Sequence, residues 1–597
     1  MLEQKHKLWD NHLHEIEKLN ERMEELNKKN TNVKVEIKKR LRGNNRKNTL
    51  IKCLKYNIVK FLKVLLSNII DFMLILAIYY PFRSTMKYYH FLLIYIVYFC
   101  IFDGIIGWSV GKKILRLRVF EVKTIKESDD QIKYWIFVYF WEWRDNMKKN
   151  GIYEFTIENT EFPSMGVAYY EGEKVLIKNA LPCQRVLGRI SKKRKSKIEA
   201  KIIEIIEDVD YKVLPKCSVF GICGGCTNQD VPYEKQLELK KNQVMRLFDK
   251  AGISDFDFEG IKSSPEVFEY RNKMEFTFGD FEKGGNITLG MHAKGMSYSI
   301  VTVDDCRIVD EDFRTILKTI LNYFTDKNIS HYRIMPHEGY LRTLVVRKGK
   351  NTGEILINIV TTSQMEFDFT EIVNILKSKS YNGKLTGIIH TINDSLSDVV
   401  QADKIEILFG REYIYEKLLG LKFKINPFAF FQTNSKGAEK LYSIVRNFMG
   451  DSSSKTVFDL YCGTGTIGQI AAPKAKKVVG IELIEEAVRA AKENAKLNGL
   501  ENCEFIAGDI KDVIKDITEK PDLIILDPPR AGVHPKALEY VLNFKAKDII
   551  YVSCNPKTLV QDLKVMVENG YKVEKVVLMD MFPHTAHVET CVLLSLK

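Results

Sequence analysis

Cysteine is scarce in this chain, with 11 in 597 residues, and no cleavable signal peptide stands at its start. Together these argue against a disulfide-stapled secreted protein and predict a reducing compartment. No internal repeat is evident, which excludes a repeat array. The composition, 45% hydrophobic and 28% charged, excludes wholesale disorder and a fibrous protein. Domains of about 100–200 residues each predict three to five of them. A net charge of +13 predicts a polyanionic partner, either nucleic acid or an anionic membrane surface. That charge is uneven. Residues 1–63 hold 17 Lys+Arg against 8 Asp+Glu, whereas residues 455–597 hold 19 against 20.

Residues 1–50 read as a basic helical segment, with Ile16, Leu19, Met23 and Leu26 at a/d spacing. Within residues 51–120, two apolar runs (64–80 and 91–108) approach the roughly 20 residues needed to span a bilayer. Each contains an acid, Asp71 or Asp103, and basic residues flank both outer ends. The positive-inside bias then predicts a helical membrane hairpin with both ends cytoplasmic, tethering the chain to the inner face of the cell membrane; the alternative is a buried helical pair in a soluble domain. The stretch WSVGKKILRLRVFE after the second run resembles the signature of RDD-type membrane domains, although a third span is missing. Residues 121–147 read as a linker. Over 148–208, short β-like runs such as YEFTIENT and GVAYYEGEKVLIKNALP predict a small OB-type barrel. Its cluster Lys192, Lys193, Arg194, Lys195 and Lys197 suits a phosphate backbone. Residues 209–425 mix strands and helices, an α+β pattern, around a cysteine cluster. Residues 426–597 alternate apolar strands with helices, the pattern of a doubly wound, mostly parallel α/β sheet.

Three motifs in that last region bear chemistry. In DLYCGTGTIG, Gly463, Gly465 and Gly468 form GxGxxG between a strand and a helix, where a backbone approaches a ligand closely. Glu482 ends the next strand, where a carboxylate accepts hydrogen bonds from ribose hydroxyls, and Asp509 follows near an expected adenine. NAD and S-adenosylmethionine both satisfy these features. The prolines of DPPRAG, beginning at Asp527, stiffen the sheet's carboxyl edge and favour S-adenosylmethionine, because base-modifying methyltransferases carry Asp-Pro-Pro there. In YVSCNP, Cys554 ends an apolar strand at the same edge. Uracil C5 is a poor nucleophile; a thiolate adding to C6 makes it enolate-like, and a base must then remove the C5 proton. The segment FPHTAHVET offers Glu589 for that step, with His584 and His587 nearby.

DLYCGTGTIG, DPPRAG, SCNP and HVET in this order, with FAFFQTN upstream, resemble the RNA uracil-5-methyltransferase family over about residues 148–597. The resemblance implies Cys554 as nucleophile and Glu589 as proton acceptor. It also implies that Gln432, Tyr461, Glu482 and Asp527 contact S-adenosylmethionine, beside the glycine loop at Gly463 and Gly465 and the acid Asp509. The C-terminal domain is then a Rossmann-like class I methyltransferase.

Cys217, Cys223, Cys226 and Cys306 fall as C-x5-C-x2-C plus one distant cysteine. Four thiolates so spaced suit a [4Fe–4S] cluster or a structural zinc. The family's ribosomal-RNA members carry a [4Fe–4S] cluster at a similar pattern together with a TRAM domain. Residues 151–207 resemble that TRAM domain, with one departure: Cys183-Gln184 stands where Gly-Glu is usual. The transfer-RNA branch normally lacks both, so the resemblance implies 23S ribosomal RNA as substrate, with transfer RNA as the alternative. On β-like runs between cluster and catalytic core, Arg271, Lys273 and Arg342 suit RNA phosphates, and Arg530 of DPPR is a candidate contact to the target uridine. The helix over 233–252 is expected to pack on the methyltransferase domain, and the protein to be a monomer. A competing reading, a membrane interaction module whose C-terminal half only binds RNA, is opposed by the intact Cys554, Glu589 and glycine loop.

Overall fold

The computed structural model describes residues 147–597, apart from 195–196 and 398–401, together with the backbone of residues 122–126 and 132–136. The expected basic helix over 1–50 and membrane hairpin over 51–120 lie outside the described residues. Among the described residues no helix is long and apolar enough to cross a membrane. Where the sequence suggests a linker, β1 (Val122–Lys126) and β2 (Ile132–Ile136) pair as an antiparallel hairpin. They belong to a unit ending at Asp145, and residues 146–597 form a second unit.

The second unit begins with six strands: β3 (Ile152–Thr156), β4 (Asn159–Glu161), β5 (Met165–Tyr170), β6 (Glu173–Lys178), β7 (Arg185–Arg194) and β8 (Lys197–Glu207). They form one sheet in the order β3-β7-β8-β6-β5-β4. Alternate residues face one core, with Val175 and Ile177 of β6 and Val186 and Ile190 of β7 packed around Phe155. Cys183 adopts φ 70, a left-handed conformation that glycine enters at no steric cost and that the thiol-bearing residue holds here. The adjoining Gln184 side chain secures the turn, accepting from the Leu181 amide and donating to Asp208.

A second sheet comprises β10 (Lys273–Asp280), β11 (Ile287–Ala293), β12 (Met296–Thr302), β13 (Leu341–Lys348), β14 (Glu354–Thr361), β15 (Lys384–Ile392) and β16 (Lys404–Gly410), ordered β12-β11-β10-β13-β14-β15-β16. Its pairs are antiparallel except β14 with β15, which a crossover containing a helix (Thr370–Ser378) separates in the chain. A longer helix (Glu311–Asp326) is capped by Asp310 and buries Phe313, Ile316, Leu317, Ile320 and Phe324, an i, i+3, i+4 stripe, in the core of this sheet.

The third sheet is doubly wound. Its strands are β19 (Ser452–Leu460), β20 (Ala475–Glu482), β21 (Cys503–Ala507), β22 (Leu523–Leu526), β23 (Asp548–Ser553), β24 (Tyr571–Met579) and β25 (Glu589–Leu596). The order β21-β20-β19-β22-β23-β25-β24, continued by an edge strand, reverses direction between β19 and β22, the switch point beyond whose carboxyl ends α/β ligands bind. The edge strand β9 (Asp257–Lys262) comes from far upstream and pairs parallel with β24. Just before it, helix α1 (Tyr233–Ala251) buries Val244 and Phe248 in the core of this same sheet.

The connection between β24 and β25, residues 580–588, is where these layers meet. Lys240 of α1 reaches Asp580 at 2.7 Å, with both side chains almost wholly inaccessible, and also donates to the Phe582 carbonyl. Asn434 donates to the Met581 carbonyl, and Tyr270 to that of Pro583. Burial lowers the Lys240 ammonium from its ordinary range, and Asp580 opposes the shift. Removing one partner of such a pair strands the other charge. Lys240→Met is therefore expected to cost about 3–5 kcal/mol in urea denaturation, and adding Asp580→Leu to recover most of that loss. A double variant as unstable as the single one would show that packing, not charge, dominates.

Candidate active site

At the end of β19 the chain turns sharply, with Tyr461, Gly463 and Gly465 at φ 64, 54 and 71. Asp459 is buried beneath this turn and accepts from the Gly468 amide at 2.8 Å, while its Oδ1 finds no partner. Burial pushes its carboxyl up to about 7. A Cβ at Gly468 would lie 2.7 Å from Asp459 Oδ2, so this third glycine leaves room for the carboxylate. Gly465 serves packing in the same way: a Cβ there would lie 2.6 Å from the Phe505 ring, and the residue is absent from the cavity wall. Gly463 does line the wall, and its amide donates to Glu482 at 3.0 Å. The other Glu482 oxygen accepts from the Ile484 amide, so the carboxylate at the end of β20 is held in place from two sides.

These residues open on one cavity of about 880 Å³. Gln432, Tyr461, Gly463, Glu482, Asp509 and Asp527 line it, and so do Arg530, Cys554 and Glu589. Motifs dispersed over more than 150 residues of sequence thus share one enclosure at the switch point. The wall also includes Tyr442, Asp459, Leu483, Ile484, His534 and Phe582, which the motifs did not single out. Asp459 opens the DLYCGTGTIG motif, and Leu483 and Ile484 directly follow Glu482. Tyr442 sits on a helix (Ser435–Met449) where its pattern reads only as core.

Cys554 and Glu589 lie at the same end of one strand pair. β23 and β25 are antiparallel and their ladder ends at Ser553 opposite Thr590, with Cys554 the residue after β23 and Glu589 the first of β25. Glu589 is 4% exposed, whereas Cys554 is half-buried. Burial, then the Asp527 charge, push the Glu589 carboxyl up to about 8, with Arg530 opposing. Burial raises Asp527 to about 7. Cys554 rises to about 11 through burial and the charges of Glu589 and Asp527, while Arg530 pulls it back. The DPPR turn carrying Arg530 is tied to the Cys554 turn by Asn555, which donates to the Arg530 carbonyl at 2.8 Å.

Residues 232–597 match the family of tRNA (uracil-5-)-methyltransferases. An RNA methyltransferase of Clostridium tetani, itself uncharacterized, is 66% identical over 451 residues, spanning 76% of this chain and 99% of that protein. One from Caldanaerobacter subterraneus is 53% identical over 449 residues, 75% of this chain and the whole of that one. The structure of the Pyrococcus abyssi tRNA (uracil-54, C5)-methyltransferase in complex with S-adenosyl-L-homocysteine superposes with a TM-score of 0.60 at 27% identity, covering 74% of this chain and all of that one. This chain belongs to the RNA uracil-5-methyltransferase family. It is an RNA methyltransferase with an S-adenosylmethionine cofactor.

The methyltransferase also gathers Cys217, Cys223, Cys226 and Cys306 around a small cavity of about 50 Å³, with Arg271 and Arg307 on its wall. Burial, then the neighbouring cysteines, push the Cys226 thiol up to about 12; burial pushes Cys306 to about 11. No group of three or more His, Cys, Asp or Glu side chains among the described residues is arranged to hold a single metal ion.

The basic residues expected to meet RNA divide into exposed and occupied sets. Arg194 and Arg530 are exposed, Lys193 is exposed but paired with Glu173 at 3.3 Å, and Lys192 is half-buried. Arg342 departs from expectation. It is 6% exposed, stacks over Tyr332 at 4.4 Å, and donates to the carbonyls of Asn393, Ser395 and Ser397. Its guanidinium anchors a loop and is withdrawn from phosphate. Arg271 donates to the Lys273 carbonyl, and Lys273 pairs with Glu275.

The raised Glu589 carboxyl has a stability consequence. A carboxyl whose folded value lies near 8, against an ordinary 4.5, contributes stability that is full below 4.5 and lost as pH rises through 8. Glu589→Gln should therefore melt progressively higher than the wild type as pH rises from 5 to 9, by calorimetry. A constant difference across that range would contradict the raised value.

Proposed function

We propose that this enzyme transfers a methyl group from S-adenosylmethionine to C5 of a uridine in 23S ribosomal RNA. The observation supporting it most directly is that Cys554 and Glu589, close enough for the Glu589 charge to act on the thiol, line the one cavity that also holds Gln432, Tyr461, Glu482, Asp509 and Asp527. When bound, S-adenosylmethionine supplies an electrophilic methyl sulfonium. Glu482, already aimed by two backbone amides, accepts from the ribose hydroxyls. The apolar Leu483 and Ile484, 61% and 56% exposed without a ligand, flank that position and suit a base face. Gln432, Tyr461 and Asp527 complete the pocket, with Asp509 at its adenine end.

The uridine leaves its stack and enters beside Arg530. The Cys554 thiolate bonds to C6, shifting electron density to C5, which forms its bond to the methyl carbon as the methyl–sulfur bond breaks. Glu589 takes the C5 proton; the resulting electron pair reforms C5=C6 and expels the Cys554 thiolate. Arg530 favours both anionic forms, since its charge opposes the upward shifts of Cys554 and Glu589.

The four cysteines fit a [4Fe–4S] cluster: they share one cavity, and Arg271 and Arg307 on its wall offset thiolate charge. Cys217, Cys223, Cys226 and Cys306 would hold it, as a structural centre distant in sequence from the nucleophile. Residues 151–207 act as a TRAM domain, presenting Lys192, Lys193 and Arg194 to the RNA backbone. Transfer RNA is the second substrate reading, favoured by the tRNA (uracil-54, C5)-methyltransferase from P. abyssi.

With C5-tritiated uridine transcripts and S-adenosylmethionine, the wild type should release tritium and Cys554→Ala should release none. Undiminished release by Cys554→Ala would overturn the covalent route. Because a protonated carboxyl accepts no proton, single-turnover release should rise with pH through about 8; a rate falling over that range would exclude Glu589 as base. Mapping 5-methyluridine in cellular RNA with and without the gene separates the substrates: loss from 23S ribosomal RNA supports the first reading, loss from transfer RNA alone the second.

A further inference from the structure

Glu589 is the first residue of β25, opposite Met579, the last of β24. Strand ends fray, so the position of its carboxylate depends on what restrains the nine-residue connection before it. At the middle of that connection stands His584, buried and at φ 65. A non-glycine residue persists in this conformation only where its surroundings over-determine it. Here its amide, its carbonyl and one ring nitrogen are engaged, while Nε2 finds no partner among the described residues. The His584 amide donates to Gln236 Oε1 at 2.8 Å, and the Gln236 amide nitrogen meets His584 Nδ1 at 3.1 Å, so a single α1 side chain grips both the main chain and the ring. The His584 carbonyl accepts from the amides of Thr227 and Asn228 at 2.7 and 3.0 Å. The ring lies 4.4 Å from that of Phe268.

Gln236 is itself fully buried, and its Nε2 also donates to the Val231 carbonyl, so the grip is fixed to the start of α1 and is not adaptable. Thr227 and Asn228 directly follow Cys226 in the chain. The turn before Glu589 is thus held jointly by α1 and by the end of the cysteine loop. Neither is part of the catalytic cavity wall.

We infer that His584 is a positioning residue for proton removal, its left-handed turn clasped by Gln236 and by the Thr227–Asn228 amides so that Glu589 meets C5 of the covalently held uracil. This rests on the reading of Glu589 as the C5 proton acceptor. It predicts a defect in one half of the reaction. Thiolate addition and methyl transfer use Cys554 and the cofactor pocket, whereas a displaced Glu589 leaves the methylated C5 with its proton and the C6–sulfur bond unbroken. A protein–RNA adduct then accumulates.

The test uses the full chain with C5-tritiated transcript, following adduct by denaturing gel and tritium release in single turnovers. Gln236→Leu removes both side-chain contacts, and His584→Val places a β-branched residue where φ is positive. Each is expected to slow tritium release about 10–100-fold, the cost of an ångström-scale misplacement, while adduct forms at near the wild-type rate and S-adenosylhomocysteine affinity is unchanged. His584→Asn, which tolerates a left-handed backbone, should recover most of the release rate. Glu589→Gln is the control and should accumulate the same adduct. If Glu589→Gln accumulates adduct while Gln236→Leu and His584→Val lose addition and release in proportion, or lose neither, the clasp is overturned and the catalytic reading stands. If Glu589→Gln accumulates none, that reading fails and the clasp with it.

Discussion

A buried ammonium facing a buried carboxylate, Lys240 against Asp580, fixes the point on which the rest of this structure turns. Neither side chain meets solvent, and the two lie 340 residues apart in the chain. Each would be costly alone in that environment, so α1 and the β24–β25 connection must dock before either is tolerated. The same connection receives Asn434 through Met581 and Tyr270 through Pro583. Asn434 caps the helix that begins at Ser435, and Tyr270 belongs to the core beneath the cysteine loop. One turn therefore registers the α/β sheet against the central sheet. A hydrophobic contact would hold these layers with comparable strength but could slide; an ion pair with hydrogen-bonded ends specifies one position.

That position sets the electrostatics of the cavity. Three carboxyls, Asp459, Asp527 and Glu589, are raised to about 7, 7 and 8 by enclosure. A fold selected only for stability would not gather them. The mouth residue Arg530 is the counterweight, exposed itself yet close enough to oppose the shifts of Cys554 and Glu589. In the proposed reaction Glu589 is the base, and burial with the Asp527 charge is what brings its carboxyl up to about 8, where a base is effective in proton transfer. The site trades native-state stability for that poise.

The motifs of the α/β domain were legible because each is local: a glycine turn, a carboxylate closing a strand, a cysteine before a proline. Their convergence on one cavity follows from the alternation of strand and helix, which the hydrophobic pattern displays. What the sequence hid is non-local. Strand β9 contributes an edge to a sheet whose other strands begin near residue 452, and nothing in DFEGIK marks its partner. Arg342 reads as a surface cation on a β-like run, but its fork finds three carbonyls of a loop more than 50 residues away. Gly465 reads as a ligand-facing glycine, whereas the Phe505 ring is what requires its missing side chain. Local spacing identifies residue types able to do chemistry, and distant packing decides which of them remain free to do it.

In the proposed covalent route, the placing of Cys554 and Glu589 at one end of the β23–β25 pair governs the order of events. Once a substrate carbon is bonded to the Cys554 sulfur, its neighbouring carbon is no longer positioned by binding but by the bond itself. The base then acts on an intramolecular partner, and the gain in effective concentration is realised only if the base is equally fixed. Two residues at the end of one strand pair satisfy this better than two on separate loops, because the ladder between Ser553 and Thr590 holds the strands in register while ligands exchange. The weak point is the ladder's end, where Glu589 has hydrogen-bonded strand on one side and a turn on the other. A covalent mechanism on this sheet consequently demands a rigid turn, and the connection over residues 580–588, with its left-handed His584 held by main-chain and side-chain hydrogen bonds, meets that demand.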